Sequence, residues 1–262
     1  MLLAIDIGNT TVRFGLFKGK KLVKHWWKPA SSLKKGRSLA SCSKLRSKVS
    51  GIIISSVVPG LLAGVKRKLS RIFGLTILVV GCNIDSGITN LYHKPKQVGS
   101  DRLVNARAGW HLYKCPLIIV DFGTAITFDV VSKTGRYLGG IIAPGVELSL
   151  EALSKKAALL PRIKLSRPGT LVGKTTSQSM ASGFIFGFSS LCDGIIYRIK
   201  KRYRLNFSVI ATGGGAGIIA PFCKNIDRVN SGLTLQGLRI IYQQGTKIDK
   251  KGRIIEETKE KR

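Results

Sequence analysis

The sequence predicts an α/β protein with mixed sheets, assembled from two similar halves. Three observations carry that prediction. The stretch Leu2–Phe14, LLAIDIGNTTVRF, returns in altered form at Leu117–Asp129, LIIVDFGTAITFD. Each copy continues through a second strand, a basic or Gly turn (Lys18-Gly19-Lys20 and Lys133-Thr134-Gly135) and a third strand. After the first meander, buried-strand runs alternate with an amphipathic helical run, the pattern of a mixed α/β sheet. The halves divide as 1–115 and 116–245, and a charged tail fills 246–262.

Residues 2–27 read as a three-strand meander. Residues 28–50 are basic and Ser-rich and read as either a weak helix or a loop. Gly51–Val58, GIIISSVV, is a buried strand stopped by Pro59-Gly60. Leu61–Phe73 is an amphipathic helix with Lys66, Arg67, Lys68 and Arg71 outward, and Leu75–Val80 is another buried strand. A loop over Asn83–Lys96 leads to Gly99-Ser100-Asp101-Arg102 and a helix from Leu103 to Tyr113. The second meander covers 117–142. Ala143-Pro144-Gly145 then turns into a helix beginning near Val146. Thr175 and Gln178 have capping-box spacing. The helix after them carries Met180, Phe184, Phe188, Leu191, Ile195 and Ile199 on one stripe. Gly183, Gly187, Ser190 and Gly194 form a second stripe of small residues, suited either to packing within the chain or to a subunit interface. Phe207–Ala211 is a strand running into the Gly-rich turn Thr212–Gly217, and Leu233–Gln244 is the last helix.

The repeated Asp-x-Gly turn can carry phosphate chemistry. A buried strand ending in Asp projects a carboxylate at its tip. The glycine two residues on lets a bulky anion approach without a Cβ in the way. The Asn and Thr residues that follow add donors for phosphate oxygens, while the carboxylate can hold an accompanying cation. One Asp-x-Gly is a common β-turn sequence. Two in matching strand contexts, with a Gly-rich strand-to-helix turn downstream at 212–217, point to a nucleotide. That third turn lacks the Gly-Lys-Ser/Thr of a P-loop. The Gly99–Arg102 cluster puts a carboxylate and a guanidinium at a helix start, as a helix cap or as part of a site.

Composition narrows the classes. The apolar start carries Asp6 without a basic leader, and the uninterrupted apolar runs are strand-length, so neither a signal peptide nor a membrane span is expected. Five scattered cysteines without a C-x-x-C pair argue against zinc and a disulfide framework, and fit a reducing cytoplasm. The net charge of +31 raises nucleic-acid binding as an alternative. The charge is spread along the chain without a nucleic-acid-binding signature, however, and a solvated basic surface is the favoured reading. The scarce acids are more telling. From Ile7 to Ile84 there is no Asp or Glu, yet Asp6, Asp101, Asp121 and Asp129 stand beside glycines and threonines.

Six motifs occur in one order: Asp6-Ile7-Gly8-Asn9-Thr10, Gly99-Ser100-Asp101-Arg102, Asp121-Phe122-Gly123-Thr124-Ala125, Gly139-Gly140 with Pro144-Gly145, Gly173-Lys174-Thr175-Thr176 and Thr212-Gly213-Gly214. The ordered set resembles type III pantothenate kinase, of the acetate/sugar kinase–Hsp70–actin superfamily, over nearly the whole chain. The resemblance implies two ribonuclease-H-like half-domains and ATP-dependent phosphorylation of pantothenate, the first step of coenzyme A synthesis. By the same resemblance Asp6, Ile7, Gly8, Asn9, Thr10, Thr11, Val12 and Arg13 form the phosphate-facing turn, and Thr124 also touches ATP. Asp121 matches the ligand of an activating potassium or ammonium ion. Asp101 matches the general base. Tyr92, Gly99, Ser100, Asp101 and Arg102 match the pantothenate site, and Thr176 matches a substrate contact supplied at a homodimer interface. Mg²⁺ is expected on the nucleotide phosphates with Asp6 the nearest carboxylate, and Arg102 offers a bidentate partner for a carboxylate substrate.

The chain departs from the family in two places. Residues 28–50 are short, basic and Ser-rich where relatives carry an acidic helix, and Gly-Ser-Asp-Arg replaces the commoner Gly-Ala-Asp-Arg. Two rival functions remain beside the kinase reading. One is a kinase or phosphatase of the same superfamily acting on another acceptor. The other is a non-catalytic, basic, nucleic-acid-associated regulator.

Overall fold

The structure, a computed structural model, describes residues 1–34, 39–245, 247–248 and 254–255. Residues 35–38 of the basic Ser-rich stretch, and most of the charged tail, lie outside the described residues. The chain forms two compact units. The first comprises Met1–Thr89, His93–Leu112 and the chain from Leu233 onward; the second comprises Asn90–Tyr92 and Tyr113–Gly232.

The first unit is built on a five-stranded sheet of β1 (Leu2–Ile7), β2 (Thr11–Lys18), β3 (Lys21–Pro29), β4 (Gly51–Ser56) and β5 (Ile77–Val79), in the order β3-β2-β1-β4-β5. The meander strands β1 to β3 are antiparallel, and β4 and β5 run parallel to β1. Residues of β1 alternate between two cores, as the period of two requires. Leu3, Ile5 and Ile7 join Val12, Phe14, Ile52 and Ile54 in one core with helices α1 (Ala30–Lys34), α2 (Ala40–Ser43) and α3 (Pro59–Phe73). Leu2 and Ala4 face the other way, to Val104 of α4 (Ser100–Tyr113) and to Leu235, Leu238 and Ile241 of the last helix, Leu233–Gly245. The stretch read as weak helix or loop thus contributes two short helices. The helix expected from Leu103 begins at Ser100, which brings Asp101 and Arg102 inside its first turn.

The second unit repeats the plan. Strands β6 (Leu117–Phe122), β7 (Ala125–Val131), β8 (Tyr137–Pro144), β9 (Ser208–Thr212) and β10 (Arg228–Val229) lie in the order β10-β9-β6-β7-β8. Helix α5 (Val146–Lys156), helix α6 (Thr176–Tyr203) and the short α7 (Ala216–Ile219) cover the Ile118, Val120, Ile126, Phe128 and Val209 face. Helix α6 is long and apolar enough to cross a bilayer by length and composition. Its apolar face is committed to this core through Met180, Phe184, Ile185, Cys192, Ile196 and Ile199. The stripe therefore runs slightly differently from the expectation: Leu191 is 37% exposed, and Ile185, Cys192 and Ile196 take the buried positions. The glycines of the small-residue stripe are exposed, and Ser190 with them. A Cβ added at Gly183, Gly187 or Gly194 would meet no atom within 4 Å.

The last helix, now α8 (Leu233–Gly245), returns the chain to the first unit, where it packs on β1, β4 and β2. Thr234 at its start donates to the buried Asn105 of α4 at 2.8 Å.

Candidate active site

The first-unit site residues are arranged by the register of its sheet. Asp6 sits opposite Arg13 on β2 and opposite Ser55 on β4, so Arg13, Asp6 and Ser55 run side by side across three strands. Asp6 shares its face with Leu2 and Ala4 but lies at the strand tip, where it is half-buried. Ile7 and Val12 close the hairpin, and both are buried. Between them Gly8 N–H donates to the Thr11 carbonyl at 3.0 Å, leaving Asn9 and Thr10 exposed at the apex.

Ser55 connects this row to the Gly99–Arg102 cluster. Its hydroxyl lies 3.0 Å from the Ser100 hydroxyl. Ser100 Oγ also accepts from Ser56 N–H at 3.1 Å and donates to the Ser56 carbonyl at 3.1 Å. These bonds fasten the first turn of α4 to the end of β4. The Ser100 hydroxyl is therefore a structural fastening in this chain. Asp101 follows directly, and its Oδ1 accepts from Arg102 N–H at 2.8 Å. Burial pushes the Asp101 carboxyl above its ordinary range, against the lowering pull of that hydrogen bond and of the Arg102 charge. A Cβ at Gly99 would lie 2.5 Å from Asp101 Oδ1 and 3.2 Å from Val57 Cγ1, so a side chain there would displace the Asp101 carboxylate. Arg102 is 8% exposed.

In the second unit Asp121 occupies the place that Asp6 holds in the first. It pairs across with Thr127 on β7 and with Thr212 on β9. Gly213 follows Thr212 with φ +91°, and a Cβ there would fall 2.6 Å from the Phe122 carbonyl oxygen and closer still to Asp121 Oδ1. Thr212 Oγ1 is buried and finds no hydrogen-bond partner among the described residues. Thr124 is exposed at the hairpin apex, and its carbonyl accepts from Gly145 N–H at 3.1 Å at the head of α5. A cavity of about 450 Å³ opens beside the Gly-rich turn, lined by Leu150, Ile163, Leu165, Gly215, Ile218 and Ile219 among others.

Tyr92 and Thr176 also belong to the second unit. Leu91 N–H donates to the Tyr137 carbonyl at 2.9 Å, and Tyr92 N–H donates to Asn90 Oδ1 at 3.0 Å. Thr176 is the exposed first residue of α6, after Thr175, whose hydroxyl caps Gln178 N–H at 3.2 Å. It lines an apolar groove of about 400 Å³ with Leu153, Met180, Phe184 and Phe188.

The structure thus brings Asp6, Arg13, Ser100 and Asp101 into one connected set in the first unit. It brings Asp121 together with Thr212 and Gly213 in the second. Tyr92, Thr124 and Thr176 are held by separate elements of the second unit. Ser55 was not among the residues singled out from sequence. Its signal is the Ser55-Ser56 pair interrupting the otherwise apolar GIIISSVV run.

These surroundings suit the implied cations. Magnesium takes one or two carboxylates plus phosphate oxygens and keeps its other waters, which fits the single half-buried carboxylate of Asp6. A monovalent cation wants several oxygens without strong charge. The Asp121 carboxylate and, opposite it on β9, the buried Thr212 hydroxyl are two oxygens that would fit such a set.

A family model described as type III pantothenate kinase matches residues 2–198. The type III pantothenate kinase of Geotalea uraniireducens is 46% identical over 253 residues, covering 93% of this chain and 98% of its own. That of Moorella thermoacetica is 43% identical over 255 residues, covering 94% and 100%. Among solved structures, a putative Baf family transcriptional activator from Campylobacter jejuni superposes with TM-score 0.59 at 20% identity, covering 92% of this chain and 98% of its own. A putative 2-dehydro-3-deoxygalactonokinase from Sinorhizobium meliloti gives 0.58 at 11%, covering 93% and 99%. At these identities the two likenesses are of fold.

Proposed function

The chain belongs to the type III pantothenate kinase family, and on that premise we propose that it transfers the γ-phosphoryl group of ATP to the primary hydroxyl of pantothenate in the cytoplasm. The observation that carries the reading is Asp101. It is a carboxylate with a burial-raised pKa, in the first turn of a helix that Ser100 fastens to the strand beside Asp6.

Phosphoryl transfer demands alignment, neutralisation of phosphate charge and a proton acceptor at the alcohol. Asp101 Oδ accepts the hydroxyl proton as the new P–O bond forms, and its raised pKa makes it a better acceptor at neutral pH than an ordinary aspartate. The Asn9–Thr10 apex and Arg13 supply donors and positive charge to phosphate oxygens, and Thr124 supplies a further nucleotide contact. Arg102 offers its guanidinium to the carboxylate of pantothenate. Mg²⁺ and a potassium or ammonium ion, when bound, would offset phosphate charge; Asp6 would hold the first and Asp121 the second. The open Gly183–Gly187–Gly194 face supports a homodimer built on α6, with Thr176 contributing to the substrate site of the adjoining copy.

The test is an acceptor panel with ATP, read by mass spectrometry of the product. Pantothenate is expected to gain one phosphoryl group while hexoses and N-acetylhexosamines gain none. Transfer to a sugar and not to pantothenate would replace this reading with another acceptor.

A further inference from the structure

Asp129 is a fully buried carboxylate that the roles above leave unused. A buried charge is costly unless hydrogen-bonded. Here both oxygens are engaged: Tyr137 Oη donates to Oδ1 at 2.8 Å and Thr127 Oγ1 donates to Oδ2 at 3.0 Å. Tyr137 is itself fully buried. A phenylalanine would fill the same volume without a polar atom, so packing alone does not explain the hydroxyl.

The main chain of Tyr137 does a second job. Its carbonyl accepts the Leu91 N–H, and Asn90 forms an isolated bridge with it. Asn90 in turn takes the Tyr92 N–H on its side-chain oxygen. The attachment falls at an irregularity of the ladder, where pairing between β7 and β8 shifts at Val130 and Val131. Two residues further on, Gly139 has φ +126°, and a Cβ there would sit 3.7 Å from the Tyr92 ring. Tyr92 therefore lies beside a glycine, and the residues just before it, Asn90 and Leu91, are tied by their backbone to the residue that Asp129 anchors.

We infer that Asp129 and Tyr137 are positioning residues for Tyr92. The Asp129–Tyr137 hydrogen bond fixes the start of β8, and that strand holds the Asn90–Tyr92 segment in the conformation that meets the acceptor substrate. The functional half of this inference rests on the pantothenate reading; the structural half does not.

The experiment compares Tyr137→Phe, Tyr92→Ala and the double variant as full-length protein. Tyr137→Phe keeps the Thr127–Asp129 bond and the ring volume. It is expected to raise KM for pantothenate about five- to tenfold, the scale of one buried hydrogen bond, with kcat and KM for ATP within about twofold. In the Tyr92→Ala background the same change is expected to alter KM by less than about twofold, because the ring to be positioned is gone. An unmoved KM in Tyr137→Phe, or equal effects in both backgrounds, overturns the inference. Amide hydrogen exchange at Leu91, measured without substrate, decides the structural half. It is expected to quicken about tenfold in Tyr137→Phe while the β6 amides keep their protection; unchanged exchange at Leu91 overturns the anchoring. Wild-type protein that leaves pantothenate unmodified removes the functional reading, and the exchange result still decides the anchoring.

Discussion

The two Asp-x-Gly hairpins share a frame and differ in chemistry. β1 and β6 show the same sequence of buried positions with one half-buried Asp next to the end, and β2 and β7 repeat the match. In the first hairpin four residues, 8–11, separate the last paired residues Ile7 and Val12. In the second only three, 123–125, separate Phe122 and Ile126. The residue facing the Asp also changes. Asp6 stands between Arg13 and Ser55, whereas Asp121 stands between Thr127 and Thr212. A guanidinium beside a carboxylate favours the arrival of an anion with its own counter-ion. Hydroxyls beside a carboxylate favour a weakly charged cation. Apolar alternation thus sets the repeated fold, and the cross-strand neighbour of each Asp is what differs between the copies; on the proposed function that neighbour sets what each copy binds.

Substitutions test this division of labour. The largest effect is expected at Asp101, the acid the second copy does not duplicate. Asp101→Asn should lower kcat by about 10²- to 10⁴-fold, the usual worth of a positioned base, with ATP binding retained. The same change should not destabilise the protein. A carboxyl whose folded pKa is raised prefers its protonated form, so ionisation costs stability as pH rises from its ordinary 3.8 through the raised value. Asparagine removes that cost, and the melting temperature at pH 7 should hold or rise. By the same logic the acid limb of kcat/KM for the wild type should turn over above pH 3.8.

The next effects separate the two hairpins. Asp121→Asn should abolish activation by potassium, lowering turnover about 10- to 100-fold at saturating cation, without moving KM for ATP by more than about twofold. Arg13→Met should do the reverse, raising KM for ATP about tenfold, as loss of one charge-assisted contact does, with the potassium response intact. Equal responses in both variants would erase the distinction. The smallest effect on stability is expected on the open face of α6. Gly187→Arg should leave the circular dichroism spectrum unchanged and raise helix stability by no more than about 1 kcal/mol, the propensity gain over a mid-helix glycine, yet convert a dimer to a monomer in sedimentation. Sedimentation unchanged from the wild-type dimer would move the interface elsewhere.

Much of this was legible in the sequence because it is periodic. The two meanders, Gly51–Ser56 and α3 follow from alternation, helical spacing and the Pro59-Gly60 stop. What was not legible depends on register and tertiary partners. No local signal places Ser55 against Ser100, and the sequence pattern alone starts α4 three residues late, at Leu103. The buried face of α6 was drawn through Leu191 because an apolar residue at helical spacing looks alike whether it meets a sheet or open space. The site motifs were read as an ordered set, but which of their residues touch one another required the strand pairing. Asp129 stood out among scarce acids, whereas its tie to Tyr137 and the 90–92 segment crosses a ladder irregularity that sequence does not announce.

On the proposed reading, Asp121 and its hydroxyl neighbours serve a monovalent cation in a pantothenate kinase. The most direct measurement is the rate of ATP-dependent pantothenate phosphorylation across a potassium or ammonium titration, wild type against Asp121→Asn. The account predicts a saturable, cation-dependent rise in the wild type that is absent in the variant. Equal turnover with and without the monovalent ion, in wild type and variant alike, would contradict it.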